Sequence, residues 1–231
     1  MKHADAQRYA IYWAPAADHA LWRAGCEWLG RDAESCWRGA DASHRAQPRR
    51  YGFHATLKPP FALAPEVSPS SLIDAIAALA SEASAFDMPA LAVAPLGDFI
   101  ALRPRERVAA AHPLRRLADD CVRRLDPLRR PPDESETARR MHPGLSPAQR
   151  ANVERWGYPH VFDEWRFHMS LTDSLASGPA GDALRASLQD DARDRFRAAL
   201  AQPLRCDGVA LFVEDAPGAD LRLDRRFGFA S

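Results

Sequence analysis

The chain has 231 residues, 46% of them hydrophobic and 27% charged, and its 31 Lys plus Arg balance 31 Asp plus Glu. This length allows one large domain or two small lobes, and the apolar fraction excludes a chain disordered by composition. Zero net charge argues against broad nonspecific nucleic-acid binding, which a basic surface usually carries, but leaves room for a small ligand in a local basic cleft.

The four cysteines, Cys26, Cys36, Cys121 and Cys206, form no C-x-x-C pair. Zinc knuckles and thioredoxin-like motifs are therefore not expected, and scattered thiols suit a reducing compartment. Met1-Lys2-His3-Ala4-Asp5 lacks the apolar core of a signal peptide, and no apolar run approaches the roughly 20 residues of a membrane span. The expectation is a cytoplasmic monomer with no membrane contact.

Arg8 to Ala14 is aromatic and β-rich, and Pro15 stops it, so it reads as a strand. A helix is expected over Ala17 to Leu29, with Gly30 as its C′ residue. Residues 31–50 read mostly as loop. The next strand carries Tyr51-Gly-Phe-His-Ala-Thr-Leu-Lys58 and ends at Pro59-Pro60. Ser68-Pro69 opens a helix, with Ser as N-cap and Pro at the first helical position. Ala90 to Leu96 and Phe99 to Arg103 form a hairpin turning at Gly97-Asp98. Val108 to Leu125 reads as a helix. Residues 126–145 are rich in Pro, Arg and acids and read as an insertion or lobe connection. Ser146-Pro-Ala-Gln149 is a capping box for a helix ending near Trp156. Trp165 to Thr172 is a strand, Gly181 to Ala201 a helix, and Gly208 to Glu214 and Asp220 to Phe229 the closing strands.

Two of these strands carry His-x-Ser/Thr: His54-Ala-Thr56 and His168-Met-Ser170. Alternation puts His54, Thr56 and Lys58 on one face of the first, and Arg166, His168, Ser170 and Thr172 on one face of the second. A His and a hydroxyl two residues apart lie about 6.6 Å apart along a strand, a spacing that suits a phosphate held by both. Either match alone is weak, since a strand histidine beside a chance hydroxyl is common. Both, however, are followed by Leu, then by a helix, a strand, a turn and a strand. A chain duplicated in this way would bring one His from each half across a shared groove.

The paired His-Ala-Thr-Leu and His-Met-Ser-Leu-Thr strands resemble the two-histidine (2H) phosphoesterase superfamily, which includes RNA-ligase-like proteins. Arg8-Tyr-Ala-Ile-Tyr-Trp-Ala-Pro15, Tyr51-Gly-Phe-His-Ala-Thr-Leu-Lys-Pro-Pro-Phe61 and Phe167-His-Met-Ser-Leu-Thr172 are most similar to a bacterial branch assigned to phosphonate metabolism. The resemblance implies a bilobal α+β fold with two antiparallel sheets flanking a cleft and helices outside. It places the first motif in a lobe of about 15–125, the second in about 150–231 plus the N-terminal strand, and an insertion at about 126–150. It also implies a metal-independent phosphoric diester hydrolase acting on a small cyclic phosphate, without a cofactor. His168 would be the base and His54 the acid by analogy, although the sequence itself does not orient them.

The residues support that chemistry independently, because imidazole titrates near neutral pH and can both take and give a proton. Thr56 and Ser170 would donate hydrogen bonds to phosphoryl oxygens. Lys58 and Arg166 would offset the phosphate charge, or else form an ion pair at the cleft edge. Tyr9, Trp13, Tyr51 and Tyr158 would stack on a base or sugar, or else belong to core and rim. The rival readings are a non-catalytic module that binds a phosphometabolite or an RNA end, and an RNA 2′,3′-cyclic phosphodiesterase or ligase.

Overall fold

A computed structural model describes residues 7–40 and 43–230. The N-terminal segment Met1-Lys2-His3-Ala4-Asp5, expected to carry no signal peptide, lies outside the described residues. In chain order the elements are β1 (Arg8–Trp13), α1 (Ala20–Leu29), α2 (Ala46–Tyr51), β2 (Ala55–Phe61), α3 (Pro69–Ser81), β3 (Phe86–Asp87), β4 (Leu91–Leu96), β5 (Phe99–Pro104), α4 (Pro113–Leu125), α5 (Glu134–Arg140), α6 (Pro147–Trp156), β6 (Met169–Ser170), α7 (Pro179–Leu200), β7 (Arg205–Cys206), β8 (Gly208–Glu214) and β9 (Leu221–Gly228). Short 3-10 turns span Asp126–Leu128 and Phe162–Glu164. The fold class is α+β, with antiparallel pairing throughout the named strands.

Three sheets form. One has the order β2-β1-β8-β9, a second β4-β5-β6, and the third is the pair β3-β7. Each larger sheet therefore mixes strands from both halves of the chain, and pairing crosses the lobe boundary expected near residues 126–150. The first-motif strand β2 lies in a sheet completed by β8 and β9, and the second motif at β6 lies beside the β4-β5 hairpin. The physical cause is edge satisfaction: β2 pairs with β1, and β1's free edge is closed by the C-terminal hairpin rather than by its sequence neighbours.

Local signals decide the helix ends. Ser68 caps α3 by accepting from the Ser71 N–H, and Ser146 and Gln149 form a reciprocal capping box on α6. Gly30 and Gly157 close α1 and α6 in the left-handed conformation. Histidine sets two starts later than expected. His19 and His112 act as N-caps, each accepting through Nδ1 from the backbone N–H two residues on, so the helices begin at Ala20 and Pro113.

One buried cluster runs through both larger sheets and includes Ile11, Trp13, Leu57, Ile100, Met169, Leu171, Phe196 and Phe212. Helix α1 packs on α7, α4 on β2 and α7 on β4. Thr56 of β2 and Ser170 of β6 line a common cleft. No helix among the described residues is long and apolar enough to cross a membrane.

Candidate functional site

The first motif is positioned by glycine and by a buried phenylalanine. Gly52 has φ +80°, and a Cβ there would meet the Ala33 side chain at 2.8 Å. Such a backbone favours glycine and turns the chain sharply into β2. Phe53 then fills the space that Gly25 leaves on α1, 5.9 Å from Phe196. With Phe53 anchored in the core, alternation sends His54 to the other side, towards the cleft. Its Nδ1 donates to the Gly52 carbonyl at 2.9 Å. Because that carbonyl only accepts, the proton is on Nδ1 and Nε2 is an acceptor, taking a hydrogen bond from Thr56 Oγ1 at 3.3 Å.

The second motif repeats this device. His168 Nδ1 donates to the Arg166 carbonyl at 2.9 Å, which again leaves Nε2 as an acceptor. Ser170 sits opposite Ala101 on β5, and the His168 ring lies 5.8 Å from Phe99. Only Met169–Ser170 is ladder-paired, rather than the whole of Trp165 to Thr172. The pairing stops because side chains take over the backbone groups. Thr172 Oγ1 accepts the Ile100 N–H at 3.0 Å, and Trp28 Nε1 donates to the Leu171 carbonyl at 2.8 Å.

A cleft of about 310 Å³ joins the two motifs, lined by His54, Thr56, Tyr51, Tyr12, Phe99, Tyr158, Ser170 and Thr172, with Gln47 and Asp173 at its side. His168 stands next to this lining through Phe99 and is close enough to His54 to disfavour protonation of the His54 ring. Asp173 holds the start of α2 by accepting from the Ala46 and Gln47 N–H groups at 3.0 and 2.7 Å. That helix, in a stretch that reads as loop by sequence, delivers Tyr51.

Burial pushes His54 down to about 4, partly opposed by its bond to Gly52 and reinforced by His168. Burial also lowers His168, with His160 and Arg103 adding to the effect. Both rings are thus neutral bases near pH 7. Tyr12 stacks on His54 with centroids 3.7 Å apart and 21° between planes. This contact escapes a reading of the sequence, although the parity of Tyr12 beside Thr56 in the β1–β2 register is its signal.

Lys58 is not in the cleft. Tyr12 pairs with Thr56 but Ile11 pairs with Lys58, so β2 carries one extra residue between them. That bulge turns Lys58 to the core face. There it is 2% exposed, with Nζ 3.4 Å from Asp126 and from the Val122 carbonyl. Arg166 lines a neighbouring groove instead. Tyr9 and Trp13 are buried on the core face of β1, with the Tyr9 hydroxyl 2.6 Å from Gln7. Tyr51 and Tyr158 do line the cleft. Among the described residues no group of His, Cys, Asp or Glu could hold a metal ion.

Comparison with known proteins gives a family and a class of relatives. The family described as Protein of unknown function (DUF1045) matches residues 56–222, most of the chain, and the chain belongs to it. Over 227 residues it is 36% identical to a protein named Ribose 1,5-bisphosphate phosphokinase PhnN from Janthinobacterium sp. (strain Marseille), covering 92% of this chain and 48% of that protein. A relative of the same name from Laribacter hongkongensis (strain HLHK9) is 38% identical over 226 residues, covering 94% of this chain and 51% of the relative. The chain thus spans about half the length of the curated relatives it matches. Their names describe a kinase, a transferase. This overturns the expectation of a phosphoric diester hydrolase acting on a cyclic phosphate: side chains that can take or give a proton do not by themselves select the acceptor of a phosphoryl group.

Proposed function

We propose that this member of the DUF1045 family handles a small phosphorylated ribose in the service of phosphoryl transfer, within phosphonate metabolism. The substrate class follows the relatives' name, and phosphonate metabolism follows the branch that the motif strands resemble. A ribose hydroxyl that accepts a phosphoryl group must lose its proton, and a neutral imidazole with an unprotonated Nε2 is a suitable base. One of His54 and His168 takes that role; the other, protonated at Nε2 once a phosphate is bound, donates to a phosphate oxygen, with Thr56 and Ser170 donating to the remaining oxygens. Tyr51 and Tyr158 flank the sugar.

The sequence contains no Gly-x-x-x-x-Gly-Lys-Ser/Thr loop, and its two lysines are Lys2 and the core residue Lys58. The part proposed for this chain is therefore the sugar-phosphate site, with the nucleotide phosphates bound outside it. The element order β2-α3-β3-β4-β5 recurs as β6-α7-β7-β8-β9. We read this as the duplicated two-lobed frame of the 2H type, here put to phosphate handling.

The observation that carries the reading is the matched tethering of both imidazoles, each Nδ1 on the carbonyl two residues back. Calorimetric titration with ribose 5-phosphate tests it. Saturable binding that weakens about tenfold or more in both His54→Gln and His168→Gln is expected, on the scale of a lost charge-assisted hydrogen bond. Absence of binding, or variants that bind like the wild type, would refute it.

A further inference from the structure

We propose that the arginine-lined groove beside His168 is a second anion subsite, and that the ligand of the cleft is a sugar bisphosphate whose far phosphate lies there. This rests on the reading of the cleft as a ribose-phosphate site and extends it.

The groove, of about 370 Å³, runs between the end of β5 and the residues leading into β6. Five arginines line it, among them Arg103, Arg105 and Arg166, against only two acids, Glu106 and Asp163. In a chain of zero net charge that is a strong local excess of positive charge. One acid is already engaged, since Arg115 pairs with Asp163 at 3.1 Å while donating to the Phe162 carbonyl.

Groove and cleft are neighbours: Phe99 lines the cleft, the His168 ring lies 5.8 Å from it, and Arg103 of the groove is close enough to His168 to disfavour its protonation. Ala101 lies opposite Ser170 and Leu102 opposite Met169. The ladder ends there, and residues just beyond it, Arg103 and Arg105 on one segment and Arg166 on the other, line the groove. Ser170, His168 and Arg166 share a face by alternation, and so do Phe99, Ala101 and Arg103. From His168 to Arg166 is one two-residue step of about 6.6 Å, on the scale of a pentose. The β4 residues paired with Ala101 and Arg103 are Ala94 and Ala92, so no bulky side chain rises from that part of the sheet.

The guanidinium groups are available. Arg166 is exposed and makes no side-chain hydrogen bond or ion pair among the described residues. Arg103 uses one N–H on the Pro95 carbonyl at 2.8 Å, which fixes its direction and leaves the rest of the fork. Planar forks of this kind bind phosphate oxygens in pairs, with more directionality than an ammonium.

The test compares ribose 1,5-bisphosphate with ribose 5-phosphate by calorimetry on the whole chain. The wild type is expected to favour the bisphosphate by about tenfold or more, with the preference shrinking as salt rises. In Arg166→Gln and Arg103→Gln the ratio of the two affinities falls towards one. Arg166 is exposed, so the first of these variants has no packing to lose. A ratio near one in the wild type, or a ratio that both variants preserve, overturns the second subsite while the monophosphate site stands. If neither sugar phosphate binds the wild type, the second subsite falls together with the reading of the cleft.

Discussion

At the scale of single residues, the site depends on where a proton sits. Both imidazoles give Nδ1–H to backbone carbonyls, which leaves each Nε2 as an acceptor. This depends on burial as well as on the bond, and it has a consequence for stability. His54 titrates at about 4 in the folded chain and near 6.5 when unfolded. The unfolded state therefore takes up a proton first as pH falls. The contribution of neutral His54 is fully present above about pH 6.5 and is lost as pH drops towards 4, by up to roughly 3 kcal/mol. Denaturant midpoints measured across that range should fall steeply for the wild type and less steeply for His54→Gln, and equal slopes would contradict this.

Lys58 offers the opposite case. Alternation alone puts it on the cleft face with His54 and Thr56, and a single extra residue in β2 removes it. Its buried ammonium, lowered to about 8 by burial, is held by Asp126. Substituting Asp126→Ala should cost about 3 kcal/mol by leaving that charge unpaired, and adding Lys58→Met should restore most of the loss. Lys58→Met alone should leave ribose 5-phosphate affinity within about twofold, as expected of a residue outside the cleft. A larger loss of affinity would return Lys58 to the site. Bulges are hard to read from sequence because the extra residue is chosen by pairing with β1, a contact between segments some 40 residues apart.

At the scale of elements, the legible parts are those whose signals are local. The Ser68 cap, the Ser146–Gln149 box, the Gly97-Asp98 hairpin and Gly30 all decide structure within a few residues. The illegible parts depend on distant partners. Helix α2 lies in a stretch that reads as loop, because its N-terminal N–H groups are satisfied by Asp173, more than a hundred residues away. The second-motif strand is shorter than its composition suggests, because Thr172 and Trp28 side chains replace ladder bonds. The packing of Gly25 on α1 against Phe53 gives a direct test. A Cβ on Gly25 would sit 2.2 Å from the Phe53 ring, so Gly25→Ala must displace the residue that anchors His54. We expect a loss of about 1–3 kcal/mol and a lower melting temperature, together with weaker ligand binding. An unchanged melting temperature would show that Phe53 has room to move.

For the whole molecule, sequence halves and structural sheets do not coincide. Strands β8 and β9 complete the sheet that carries the first motif, and β4 and β5 complete the one that carries the second. Each half of the chain thus supports the other half's histidine, and the cleft exists only when both are folded. The alternation of polar and apolar residues in the two motif strands is enough to single out His54, Thr56, His168 and Ser170. It is not enough to find Tyr12, whose stacking on His54 depends on β1 entering between β2 and β8. Nor do the histidines define the reaction. A pair of imidazoles suits hydrolysis and phosphoryl transfer alike, and the relatives are named for the second.

The central claim is that His54 and His168 face one phosphate. Nitrogen-15 NMR of the imidazoles during titration with ribose 5-phosphate tests it most directly. Both Nε2 signals should move together at the same ligand concentration, and both rings should titrate at higher pH in the complex, because a bound phosphate favours the imidazolium. A response from one ring alone, or from neither, would contradict a site shared between them.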